Sequence, residues 1–301
     1  MIDPNAPVKA STVLEFSGKE AADSSHRSIG AILIEAGRLS ADNAEKILRL
    51  QREHGQRFGE TAVGLGLLTQ ADVELGLSRQ FDFPYLLKGQ SQASHELVAA
   101  YDPFSTQVEA LRALRSQLML RWFDSAEKHT SLAITSPERN EGRSFLAANL
   151  AVVFSQLGER TLLIDADMRN PRQHALFGLP NRNGLSAILS GRSNIDAITR
   201  IPSMIDLSVL SAGVVPPNPQ ELLARPVFQQ LLQELERRYD VILIDTPATD
   251  VCADAQSVAI RTGAALVVAR KNVSRIRAVH NLVDSMKQSR VCVVGSVLNE
   301  F

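Results

Sequence analysis

The sequence predicts an α/β protein: a mostly parallel sheet flanked by helices around a phosphate-binding loop, plus a small helical repeat domain ahead of it. Three observations carry this. From Leu132 onward, short apolar runs rich in β-branched residues alternate with helical patterns, as buried parallel strands and their crossovers require. One strand–helix junction holds Gly142-Arg143-Ser144, and acidic residues close later apolar runs at Asp165, Asp167 and Asp245. Upstream, Ser28–Gln51 aligns without gaps on Arg57–Gln80.

Composition bounds the answer. The 301 residues are 45% hydrophobic and 22% charged, which suits a globular protein of about two domains. A net charge of -1 supplies no bulk basic field for nucleic acid. Cys252 and Cys292 lie far apart, without C-x-x-C spacing or neighbouring histidines, and are expected as small buried residues in a reducing compartment. No apolar run approaches the roughly 20 residues of a membrane span, and MIDPNAPVKASTVLEF lacks a basic start followed by an apolar block. A cytoplasmic protein that reaches a membrane through a partner is expected.

Residues 1–25 show weak periodicity and read as a flexible lead. The repeat domain spans 26–88. Its two copies share Gly30/Gly59, Gly37/Gly66, Leu39/Leu68, Glu45/Glu74, Leu48/Leu77 and Gln51/Gln80. Each copy predicts a short helix closed by glycine, then Ser40 or Thr69 capping a second helix. Ala44, Ile47, Leu48 and Gln51 in one copy, with Val73, Leu77 and Gln80 in the other, fall on one helical stripe and predict a shared core.

Proline, glycine and serine clusters mark residues 89–104 as a linker containing one short helix. After Ser105 a helix carries Glu109, Arg112 and Arg115 as E-x-x-R-x-x-R, with Leu111, Leu114, Leu118 and Leu120 for apolar contacts. On residues alone the three polar groups form a solvated ladder along one face, worth roughly a few tenths of a kcal/mol per pair.

Residues 105–301 form the phosphate-binding domain. Strands are predicted at 132–135, 161–165, 207–212, 241–247, 265–270 and 293–299, and helices at 144–157, 226–239 and 275–288. In such sheets ligands sit beyond the carboxyl ends of the strands. Asn140-Glu141-Gly142-Arg143-Ser144 opens a helix there, so its backbone N–H groups and the helix dipole favour phosphate. Gly142 allows close backbone approach, Arg143 adds positive charge, and the Ser144 hydroxyl suits Mg²⁺; Phe145 completes this nucleotide-binding stretch. Asp165 and Asp167 end the second strand, and Asp245 stands where an acid holds magnesium through water. Gly213–Leu223, with Pro217 and Asn218, is a proline-stiffened loop expected to open a helix at Gln220 and to cover a base.

The repeat resembles the N-terminal domain of type II secretion and pilus ATPases, a module that in some members binds cyclic di-GMP. That likeness implies base and phosphate contacts from Arg57, Gly59 and Gln80 in the second copy and Gln51 in the first. The first copy departs, with Ser28 at the arginine position and Arg27 displaced by one. Serine cannot supply the two-donor guanidinium fork, so a plain docking module is the other reading.

Residues from about 100 to 301 resemble the bacterial tyrosine kinases of exopolysaccharide synthesis, P-loop NTPases related to the cell-division positioning ATPases. The matching segments are Glu109/Arg112/Arg115, LLIDADMRNP (162–171), GLSAILSG (184–191), PPNPQELL (216–223) and VILIDTP (241–247). The whole chain resembles the chain-length-determinant variant. The likeness implies ATP and Mg²⁺, with Asp165, Asp167 and Arg143 catalytic and with Ser144, Asp167 and Asp245 on the metal. It also implies a ring assembled through the Glu109 helix and a membrane polysaccharide co-polymerase as partner.

Two departures accompany it. Arg143 replaces the family lysine; a planar fork is expected to keep phosphate binding but to harm transfer geometry, by a factor on the order of 10². The three tyrosines are Tyr85, Tyr101 and Tyr239, with Tyr239 expected in the core, so no tyrosine-rich tail supports autophosphorylation. Two readings stand at this point: an active protein tyrosine kinase, or a nucleotide-binding scaffold for the co-polymerase. Reception of cyclic di-GMP is compatible with either.

Overall fold

A computed structural model describes residues 28–80, 86, 91–204 and 206–301. The 1–25 lead, Arg27 and Tyr85 lie outside these residues. The chain divides into two units, Met1–Phe83 and Pro84–Phe301.

The smaller unit holds helices α1 (Ile29–Glu35), α2 (Ala41–His54), α3 (Phe58–Gly64) and α4 (Gln70–Gln80). The Ser28 and Ser40 hydroxyls accept from the Ala31 and Asn43 amides, so both act as N-caps. Gly37 and Gly66 follow α1 and α3 with φ of +66° and +68°, where a Cβ would be strained. Leu33, Ile47 and Ala62 are wholly buried, and Leu39, Ala44, Phe58, Leu68 and Val73 pack around them. Leu48 departs from the expected stripe. It is 43% exposed, because this small core covers only the Ala44–Ile47 edge of α2.

The larger unit opens with α5 (Val98–Tyr101) and α6 (Thr106–Leu118), which closes in a π-helical turn at Met119–Phe123. Then follow β1 (Ser131–Thr135), α7 (Arg143–Ser155), β2 (Thr161–Asp165), α8 (Gln173–Leu176), α9 (Leu185–Leu189), β3 (Thr199–Arg200) and β4 (Leu207–Leu210). The remainder is α10 (Pro219–Ala224), α11 (Pro226–Leu235), β5 (Val241–Asp245), α12 (Asp254–Thr262), β6 (Ala264–Arg270), α13 (Ile276–Gln288) and β7 (Cys292–Asn299). The sheet order is β3-β4-β2-β5-β1-β6-β7. All neighbours are parallel except β3, which runs antiparallel to β4.

Strand alternation splits the core into two layers. Leu132, Ile134, Leu163 and Leu243 face α5, α6 and α7; Ala133, Leu162, Ile164, Ile242 and Ile244 face α10 to α13. Every residue of β1, β2 and β5 is buried, which explains their near-continuous apolar runs.

Several expectations are corrected. Residues 91–104, read as linker, pack into the larger unit: Leu97, Ala99 and Ala100 are fully buried, and the Ala99 amide donates to Asn149 Oδ1 at 2.9 Å. Leu120 is 74% exposed, because the helix changes pitch at Met119. Cys252 is half-buried and Cys292 is exposed at the start of edge strand β7, so neither is a core residue. Tyr239 packs against the second core layer, as expected, although α11 stops at Leu235. Among the described residues, no helix is long and apolar enough to cross a membrane.

Candidate functional site

The P-loop leaves β1 at Ser136 and enters α7 at Arg143. Gly142 caps α7 with φ of +88°, and a Cβ there would stand 2.2 Å from Asn299 Nδ2 and 3.1 Å from Phe301 Cε1. Only glycine fits both restraints. Glu141 is wholly buried, accepting from the Glu138 amide at 2.7 Å and from the Ser274 hydroxyl. Its carboxylate therefore braces the loop and is not free for a ligand. Asn299 Nδ2 adds a bond to the Glu141 carbonyl at 3.0 Å.

Arg143 turns inward. Its Nε donates to the Thr246 carbonyl at 2.7 Å, and Nη1 donates to the Ser136 hydroxyl and to the Glu138 carbonyl at 3.2 Å. Nη2 lies 3.8 Å from Asp167 Oδ2. The side chain is only 9% exposed, and its guanidinium ties the P-loop to the loop after β5. Withdrawing it would strand the buried Thr246 carbonyl, at a cost of about 1–3 kcal/mol.

Beneath it stand the acids. Asp165 and Asp245 are register partners across β2 and β5, and both are wholly buried. Asp165 Oδ2 accepts from the amides of Arg172 (3.0 Å) and Gln173 (2.9 Å), and Oδ1 accepts from that of Asp167 (3.2 Å). Burial first, and the Asp245 charge second, hold the Asp165 carboxyl well above the ordinary carboxylate range. Burial also raises Asp245, against the charge of Arg143 and bonds from Gln173 and Ser144. Asp167 Oδ1 takes the Arg169 and Asn170 amides in a tight turn at 3.2 and 2.9 Å.

Sequence reasoning missed Gln173. Its Nε2 donates to Asp245 Oδ2 at 2.8 Å and to the Ser144 carbonyl at 3.1 Å. Its Oε1 and Asp245 Oδ1 are buried without a hydrogen-bond partner. An orphaned carboxylate oxygen beside the Ser144 hydroxyl is an all-oxygen donor set that fits Mg²⁺. A polar residue opening a helix shortly after the Asp165 strand was the available signal. Also missed was Arg169, whose guanidinium grips the fully buried Asp254 at 2.9 Å and fastens the loop after β2 to the start of α12.

Two clefts meet at the Gly142 end of the P-loop. One, of about 280 Å³, is bordered by Arg139, Arg143, Ser144, Asp167, Asn170 and Pro247. The other, of about 310 Å³, is bordered by Phe145, Asn299 and Phe301, and the two share Asn140, Gly142 and Arg172. Pro217 and Asn218 line neither cleft. They follow β4, which β2 and β5 separate from β1, so the fold does not bring the expected base cover to either cleft.

The other expected sites also resolve. Glu109 and Arg112 are ion-paired on α6, but Arg115 turns inward, its Nη1 donating to the Val153 carbonyl near the end of α7 at 2.8 Å. The three do not form one solvated ladder. Arg57 is exposed at the start of α3, where its amide donates to Glu60 at 3.1 Å. Gly59 faces Val73, with 2.6 Å available to a Cβ, so its lack of side chain already serves packing. Gln51 and Gln80 are half-buried on α2 and α4.

Comparison with known proteins agrees with this geometry. Residues 140–287 match the AAA_31 family, an AAA domain. The putative tyrosine-protein kinase CapB of Staphylococcus aureus is 39% identical over 202 residues, covering 66% of this chain and 86% of that protein. The tyrosine-protein kinase wzc of Salmonella typhi is 36% identical over 204 residues, which is 68% of this chain but 28% of that longer protein. Among solved structures, the chimerical protein CapA2B2 is 36% identical with a TM-score of 0.64, covering 75% of this chain and 98% of that one. The kinase domain of Escherichia coli tyrosine kinase ETK is 33% identical with a TM-score of 0.65, covering 68% and 79%. The P-loop, its buried acid pair and these relatives place the chain in the bacterial tyrosine-protein kinase family.

Proposed function

We propose that this chain binds ATP and Mg²⁺ and acts as a protein tyrosine kinase-like regulator of exopolysaccharide polymerisation, chain length and export. The observation that carries the reading is the buried Asp165–Asp245 pair, with one Asp245 oxygen unpartnered beside Ser144. A purely structural strand end has no use for two charges this costly to bury. The backbone amides at the start of α7 receive the phosphates. The base enters the cleft beside Phe145, Asn299 and Phe301. Ser144, Asp245 and Asp167 hold the magnesium ion, which when bound neutralises charge developing on the transferred phosphoryl group. Asp165, bonded to three backbone amides, organises the loop that carries Asp167.

A second reading draws on Arg143. With its guanidinium committed to Thr246, Ser136 and Glu138, it cannot reach a terminal phosphate without breaking those bonds. A nucleotide-binding scaffold of low turnover follows. In both readings the chain assembles through the face of α6 that carries Glu109 and Arg112, with Arg115 fastening that helix to α7, docks on a membrane polysaccharide co-polymerase, and works at the cytoplasmic face of the inner membrane. The repeat would add control by cyclic di-GMP through Arg57, Gly59, Gln80 and Gln51.

Incubation with γ-labelled ATP and Mg²⁺, with and without the co-polymerase's cytoplasmic tail, tests this. Phosphotyrosine formation supports the kinase; binding without phosphate release supports the scaffold; no binding overturns both. Titrating the whole chain with cyclic di-GMP tests the repeat, and a flat calorimetric trace at high micromolar ligand would remove it.

A further inference from the structure

We infer that Arg172, rather than the P-loop Arg143, is the side chain that swings to meet the nucleotide's phosphates, and that Glu96 holds it until they arrive. The inference rests on the ATP reading above and adds a residue that no motif marked. Arg172 borders both clefts, at the place where a base in one and phosphates in the other would join. Glu96 borders the base cleft alone.

The anchors of the pair are fixed while its side chains are not. The Arg172 amide donates to Asp165 Oδ2 at 3.0 Å, so its Cα is pinned to the acid pair. The Glu96 carbonyl accepts from Asn149 Nδ2 at 2.9 Å, and its amide donates to Ser94 Oγ at 3.2 Å. Arg172 Nη2 donates to both Glu96 oxygens, at 2.8 and 2.9 Å, and the two side chains are 50% and 47% exposed. A half-exposed ion pair contributes little and can be exchanged cheaply. An arginine fork meeting phosphate gains charge-assisted bonds of favourable geometry. Arg143 faces the opposite balance, since its Thr246 and Ser136 partners are buried and the Thr246 carbonyl would be left unpaired. Arg139 borders the phosphate cleft as well, from an exposed turn of the loop.

The test is calorimetric titration of the full chain with ATP and Mg²⁺, for wild type, Arg172→Gln, Glu96→Gln and Arg139→Gln. Arg172→Gln is expected to weaken ATP about tenfold, the loss of one charge-assisted phosphate contact. Glu96→Gln is expected to tighten ATP by about two- to fivefold, because the competing carboxylate is gone. A pair that merely braced the fold would weaken binding in both variants, and that result overturns the inference. So does loss confined to Arg139→Gln. If wild type and Arg172→Gln bind ATP equally, the Arg172 assignment falls while the ATP reading stands. If wild type binds no ATP, both fall.

Discussion

Asp165 and Asp245 lie side by side on neighbouring parallel strands, in register and without solvent exposure, at the end of the sheet that faces the P-loop. Two carboxyl groups so placed resist joint ionisation. The arrangement costs stability in the empty protein and is suited to a cation that offsets the charge.

Replacing one acid should therefore stabilise the empty protein. Burial raises both acids above the ordinary value of 3.8, with the Asp245 charge adding to it at Asp165 and the Asp167 charge at Asp245, so the folded state holds their protons more tightly than the unfolded chain does. The penalty is absent at low pH and grows as pH rises from 3.8 through the raised folded value. Asp245→Asn is expected to gain about 1 kcal/mol near neutral pH, roughly 2–4 °C in Tm, and to lose Mg²⁺-dependent ATP binding. Thermal melts across pH 4–8, about the span in which such groups titrate, check it; a lowered Tm at pH 7 would count against it.

Arg143 separates the two functional readings. Arg143→Ala removes the bonds to the Thr246 and Glu138 carbonyls, leaves the buried Thr246 carbonyl unpaired, and is expected to cost about 1–3 kcal/mol while weakening ATP. Arg143→Lys restores the family residue, whose compact charge cannot fork between those carbonyls and is free to reach phosphate. Phosphotyrosine formation should rise by a factor on the order of 10². Unchanged single-turnover rates would show that arginine is not the limit.

On α6, stability and assembly are separable. Glu109 is 64% exposed in its pair with Arg112, so Glu109→Ala should change stability by less than about 0.5 kcal/mol while lowering the oligomeric mass by light scattering. Arg115→Ala removes the bond to the Val153 carbonyl and is expected to cost about 1–2 kcal/mol, assembled or not. An oligomer that survives Glu109→Ala would argue against assembly through this helix.

The repeat permits a similar separation. Gly59→Ala drives a methyl against Val73 Cγ1, 2.6 Å from the ideal Cβ position, and should destabilise the smaller unit by about 1–3 kcal/mol. Arg57→Ala leaves stability nearly unchanged, because that side chain is exposed, and should abolish cyclic di-GMP binding if the repeat is a receptor. Equal ligand affinity in wild type and Arg57→Ala would dismiss the arginine contact.

What the sequence disclosed followed period and position. The runs at 161–165 and 241–245 read as buried strands because both faces are covered, and their terminal acids read as site residues because parallel strands end there. What stayed hidden depends on which neighbour a side chain meets. Arg115 has ladder spacing, yet α7 offers it a carbonyl. Residues 91–104 have linker composition, yet Asn149 captures their backbone at Ala99. Pro217 and Asn218 follow a site-like strand, but its place in the sheet depends on strand order, which no local pattern encodes. Gln173 offered only its place at the start of a short helix after the Asp165 strand, which does not say that it meets Asp245.

The central claim is that the Asp245–Ser144 corner and the P-loop bind ATP with magnesium. Calorimetric titration of the whole chain with ATP, with Mg²⁺ and then with EDTA, tests it most directly. The account predicts saturable binding with Mg²⁺ that is strongly weakened by EDTA and lost in Asp245→Asn. Absence of ATP binding in the presence of Mg²⁺, or affinity indifferent to both Mg²⁺ and Asp245, would contradict it.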